Sequence, residues 1–104
     1  MSGPGLVVVP AVVRETVRLA AQGVPGVVRV GWSGGPLRRW LAGPALAVRL
    51  DGARTTVRIA IVARPGGSLQ SLTDLVRTAV AAALERQLGL VPGEITISVD
   101  GVGA

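Results

Sequence analysis

The chain has 104 residues, enough for one domain with its own core and too few for a second. Cysteine and histidine are both absent, which removes disulfides, thiolate chemistry, the usual zinc ligands and the commonest general base. All 11 basic residues are arginine; they face six acids for a net charge of +5, and the missing lysine reads chiefly as coding bias, so the charge is weak evidence for an anionic partner.

Hydrophobic residues make up 49% of the chain and aromatic ones only 2%, so the core has to be built from Val, Leu, Ile and Ala, a composition suited to a β-branched sheet under Ala-rich helices. No stretch approaches the roughly 20 apolar residues that span a bilayer. The apolar run 6–13 is broken by Pro10 and follows no basic residue, so a secretory signal is not expected and a cytoplasmic protein is.

In chain order, residues 1–5 read as a disordered lead-in and 6–9 as a short strand. Pro10 suits the first position of a helix, and Val13, Val17, Ala20, Ala21 and Val24 form its apolar stripe. Gly23, Pro25 and Gly26 stop it, with glycine expected in the left-handed cap. A strand is predicted over 27–32. Residues 33–44 hold glycines and prolines around Leu37-Arg38-Arg39-Trp40-Leu41 and read as a loop with one helical turn in its middle.

Leu46, Val48 and Leu50 alternate with polar or small residues, as do Val57, Ile59, Ile61 and Ala63, and Asp51-Gly52 between them marks an antiparallel hairpin. Ser68 is the expected N-cap of a long helix whose stripe is Leu69, Leu72, Val76, Ala79, Val80, Ala83 and Leu88. Residues 89–93 close it, and Ile95, Ile97 and Val99 alternate with Glu94, Thr96, Ser98 and Asp100 in a last strand. Strand, helix and strand imply a right-handed crossover. The predicted fold is α+β: a two-layer sandwich in which a mixed sheet of about four to five strands is covered on one face by two helices and is at least partly open on the other.

Several pieces together resemble the alkaline-shock-protein family, the Gls family of envelope stress response proteins. They are Val7-Val8-Val9-Pro10 leading into a helix, Val24-Pro25-Gly26-Val27 at its exit, Gly34-Gly35 after the next strand, Gly67-Ser68 before the long helix, Leu88-Gly89-Leu90 at its end, and Ile-x-Ile-x-Val-x-Gly-Val at 95–102. The resemblance covers nearly the whole chain and implies a single domain over 6–104. It further implies a non-catalytic, cytoplasmic bacterial protein, tied to the cell envelope through a membrane-anchored protein partner or to lipid and cell-wall maintenance; together with the lack of reactive groups and a mean hydropathy of +0.56, this leads to the expectation of an adaptor or scaffold that binds other proteins or copies of itself. It brings no catalytic residues, cofactor or metal.

The residues point to no reactive centre either. Gly23-Val24-Pro25-Gly26 has the spacing of a nucleic-acid clamp, but Pro25 removes a donor and a strand follows, so it reads as a helix stop. Arg64-Pro65-Gly66-Gly67-Ser68 could cradle a phosphate, yet lacks the lysine of a P-loop and reads as a turn and cap. Glu94 and Asp100 fall on one strand face roughly 20 Å apart, too far to share a proton or a metal, and are expected as solvated edge charges. Asp74, Arg77 and Glu85 suit an exposed helix side.

The candidate partner-binding residues are Trp32, Leu37, Arg38, Arg39, Trp40 and Leu41: both tryptophans lie within nine positions, and Trp and Arg dominate binding hot spots. The competing reading is that one or both rings cap the open end of the core while the arginines are solvated. An alternative function is a small basic nucleic-acid-binding module using the open sheet face, with Arg49, Arg58 and the loop arginines; nucleic acid is disfavoured because that sheet has no Phe or Tyr to stack bases.

Overall fold

The structure, a computed structural model, describes residues 9–103; the expected lead-in at 1–5 and all but the last residue of the strand expected at 6–9 lie outside them. The elements are α1 (Pro10–Gln22), β1 (Val27–Val30), α2 (Pro36–Ala42), β2 (Leu46–Asp51), β3 (Arg54–Ala63), α3 (Leu69–Leu88) and β4 (Val91–Val102). Pro10 opens α1, where its missing N–H costs nothing. The Ser68 hydroxyl caps α3 by accepting the Ser71 N–H at 3.2 Å.

Asp51 pairs with Arg54 across the β2–β3 hairpin, leaving Gly52 and Ala53 as its two-residue turn, and Gly52 takes the φ of 62° that such a turn needs. β2 pairs antiparallel with 54–59 of β3, and β1 pairs antiparallel with 61–63. β1 and β2 therefore lie end to end along one edge of β3. Its other edge is taken by β4, parallel, through the α3 crossover, with Val57, Ile59 and Ile61 beside Ile95, Ile97 and Val99. The sheet is mixed and four-stranded, and α1 and α3 pack on one of its faces, as the sequence leads one to expect.

Between the layers lie Val57, Ile59, Ile61 and Ala63 of β3, Val13, Val17 and Ala21 of α1, and Leu72, Val76, Val80, Ala83 and Leu84 of α3. Two positions of the α3 stripe differ from expectation: Leu69, in the first turn, is exposed, and Leu84, one turn beyond Val80, is fully buried. Ile97 is only half-buried because β4 is an edge strand. Gly23 ends α1 in a right-handed conformation, φ −75°, since its N–H continues the helix to the Leu19 carbonyl; the first glycine after α1 with a positive φ is Gly26, φ 102°. β1 stops at Val30, short of the strand expected to 32, and β4 begins at Val91, where the residue's N–H reaches the Ala53 carbonyl.

Val80 is fully buried at the α3–sheet interface. Val80→Asp places an unpaired charge there and should cost several kcal/mol, about 3 or more, seen as a large loss of melting temperature; a melt within a degree or two of the parent would show the helix face to be wrongly assigned. Thr55 is fully buried on the same side of β3, and among the described residues its hydroxyl has no hydrogen-bond partner. Thr55→Val keeps the branched shape and removes the unmatched polar atom, so it should stabilise by about 1 kcal/mol in denaturant unfolding.

Candidate functional site

The site grows from the gap between β1 and β2. The Gly31 N–H donates to the Ala60 carbonyl at 2.9 Å, and the Ala60 N–H donates to the Ala45 carbonyl at 2.7 Å. Residues 32–44 thus leave and rejoin the sheet opposite a single residue of β3. Ala60 and Val62 alternate with the core residues and point away from the helices, yet both are buried. The excursion lies over that face of the sheet, with Trp32 packed near Ala60.

Polar ties hold the excursion in place. The Trp32 indole N–H donates to the Gly43 carbonyl at 2.8 Å and closes the loop across its own base. The Ser33 N–H donates to Asp100 Oδ2 at 2.7 Å, and the Ser33 hydroxyl lies 2.8 Å from the Asp100 carbonyl oxygen and 2.9 Å from Oδ2. Arg38 then grips both carboxylate oxygens, Nη1 to Oδ2 at 3.0 Å and Nη2 to Oδ1 at 2.9 Å, in the two-pronged geometry that suits guanidinium and carboxylate. Its guanidinium carbon also sits 5.8 Å from the centre of the Trp32 ring. Gly101 makes room for this: a Cβ built there would stand 2.8 Å from the Ser33 hydroxyl oxygen.

Asp100 is therefore not the solvated edge charge expected from alternation; its side chain is only 9% exposed. The partner-binding candidates divide into two groups. Trp32 and Arg38 build the base of the loop, Trp32 half-buried on the face away from the helices and Arg38 paired with Asp100. Leu37, Trp40 and Leu41, on α2, are 70%, 77% and 68% exposed, and Arg39 is exposed beside them without an ion pair among the described residues. Offsets of three and four bring Leu37, Trp40 and Leu41 to one side of the short helix. Trp40 is thus no part of the core.

The remaining candidates keep simpler roles. Asp74 pairs with Arg77 at 3.0 Å on exposed α3, and Arg49 and Arg58 are exposed on the sheet. No strand residue is aromatic, and the ring nearest Arg58 is Trp32 of the excursion. Among the described residues no three His, Cys, Asp or Glu side chains cluster, and no helix is long and apolar enough to cross a membrane.

The Ser33 N–H and then the Arg38 guanidinium hold the Asp100 carboxyl below the ordinary aspartate range, against a smaller opposing effect of burial. A lowered folded-state value means that the clamp contributes stability above the unfolded aspartate value of about 3.9 and loses it as pH falls further, through the folded value. Asp100→Asn should melt below the parent at neutral pH, and the gap should narrow as pH drops under about 3.9. Melting curves of both proteins over a pH series check this; a gap independent of pH would show that the charge is not what holds the loop.

No protein-family model matches the chain, and no curated protein matches it. Solved structures do. The copper form of the MamM CTD shares 20% identity over 88% of this chain and 84% of that one, with a TM-score of 0.56. Two single-substitution variants of the same domain, also 20% identical, cover 88% of this chain and 95% and 94% of theirs, each with a TM-score of 0.57. At this identity the likeness is one of fold. Copper prefers imidazole and sulfur ligands, and a chain with no His and no Cys has only Met1 and its carboxylates to offer, so the metal in that description is not carried across.

Proposed function

We propose that this domain is a non-catalytic adaptor that associates with a protein partner through the exposed side of α2. The observation that supports this most directly is the combination of three large apolar side chains in water, Leu37, Trp40 and Leu41, with a base pinned by Asp100. A preformed anchor loses little conformational entropy when it docks, and an apolar Trp flanked by a free Arg39 has the composition of a hot spot. The partner would bring an apolar groove rimmed by acid, to meet Leu37, Trp40, Leu41 and Arg39.

The finer reading follows the resemblance to the alkaline-shock-protein family, carried by the Val24-Pro25-Gly26-Val27 exit and the closing strand at 95–102. On that reading the chain acts in the cytoplasm, at the cell envelope, through a membrane-anchored protein or further copies of itself.

Two variants test it. Leu37→Ser with Trp40→Ala and Leu41→Ser should abolish self-association in sedimentation and capture of a membrane-anchored partner from an envelope fraction, with the melting temperature within a degree or two of the parent. Arg38→Ala leaves the three apolar residues but frees their base, and should weaken the same association about tenfold or more. Undiminished association in the triple variant would overturn the proposal, and a large fall in its stability would show α2 to be structural instead.

A further inference from the structure

Under the edge of the excursion is a cleft of about 180 Å³, open to solvent on the side of Arg58, Thr96 and Ser98, and none of the exposed α2 anchors lines it. Its floor is two rungs of the sheet: Arg58 of β3 stands between Ala47 of β2 and Thr96 of β4, and Ala60 pairs with Ser98 of β4. Trp32 and Pro44 wall it. Alanine has the shortest side chain of any chiral residue, so on this face of the sheet Ala47 and Ala60 leave open the volume that larger side chains would fill. The space is bounded by an aromatic ring and alanines on its apolar part, and by Arg58 and the hydroxyls of Thr96 and Ser98 on its polar part.

Arg58 is the one cation lining this cavity, and among the described residues it has no carboxylate partner: the ion pairs are Arg18 with Glu15, Arg38 with Asp100 and Arg77 with Asp74. We infer that the cavity binds a small monocarboxylate with a compact apolar body, the carboxylate on Arg58 and the body against Trp32, Ala47 and Ala60. A guanidinium meets a carboxylate through two parallel hydrogen bonds, whereas a phosphate carrying nearly two charges would face only one cation. The size is apt: a cavity of about 150 Å³ holds benzene, so a body of about six carbons fits here. The inference stands apart from the docking of α2, since the two use different side chains of the loop.

Benzoate is the probe, benzyl alcohol its uncharged counterpart, and the readout is the NMR signal of the Trp32 indole N–H with the amides of Ala60, Thr96 and Ser98. Benzoate should shift these signals saturably. Benzyl alcohol should bind about tenfold or more weaker, and Arg58→Gln should weaken benzoate to a similar degree, as expected for loss of a hydrogen-bonded charge. Ala47→Leu, which fills the floor, should abolish the shifts while the remaining spectrum stays folded; should it unfold, Thr96→Val and Ser98→Ala, which remove the hydroxyl donors, serve in its place and should weaken benzoate. The inference is overturned if benzoate gives no saturable shift, if benzyl alcohol binds equally well, or if Arg58→Gln leaves affinity unchanged.

Discussion

Both edges of β3 are occupied, and one of those edges is shared. With β4 on one side and β1 followed by β2 on the other, every level of β3 has neighbours, and its alternate residues Val57, Ile59, Ile61 and Ala63 can all be buried under α1 and α3. End-to-end placement of β1 and β2 forces the chain between them out of the sheet plane. The helix side is already filled by α1, which packs on both of those strands, so the excursion crosses the other face. Ala60, hydrogen-bonded to Gly31 before it and to Ala45 after it, is the hinge of that arrangement.

What the excursion lacks in packing it makes up in polar ties. α2 spans Pro36–Ala42 and buries none of its residues, and a helix that short has no stability of its own. Its order comes from its ends: the Trp32 indole on Gly43, and Ser33 and Arg38 on one carboxylate. A tether of hydrogen bonds leaves the apolar side of α2 unused, whereas a tether of hydrophobic contacts would have consumed it. The same roof overhangs a half-open cleft floored by alanines, with Arg58 at its exposed side. One structural solution thus yields an outward anchor and an inward pocket, in a chain whose composition offers no thiol or imidazole for chemistry.

The likeness to the MamM CTD shows that this arrangement of strands and helices recurs at low sequence identity. A copper form of that domain is among the similar structures, whereas this chain has neither His nor Cys, and the groups it does present are the Trp32, Arg38 and Asp100 cluster together with Arg58. Function has to be argued from those groups, because one scaffold serves many purposes.

Local pattern determined most of the elements. The 3.6-residue recurrence of Leu72, Val76, Val80 and Ala83 marks the buried side of α3, Asp51-Gly52 marks the hairpin, and Ser68 marks a cap, because helix faces, turns and caps depend on residues only a few positions apart. That Leu37, Trp40 and Leu41 share one side of a single turn was legible for the same reason, as offsets of three and four, but their exposure was not, because a tryptophan capping the core fits the same spacing. Asp100 was not: its partners Ser33 and Arg38 lie 67 and 62 positions away, and alternation along β4 reports only which face a residue points to, not what lies over that face. Gly101, the glycine that allows Ser33 to approach, was a signal within the closing strand, but its meaning depended on the facing loop. The end-to-end pairing of β1 and β2, and with it the cavity over Ala60 and Arg58, was decided by tertiary structure alone, since strand order is a long-range choice that the period of a strand does not encode.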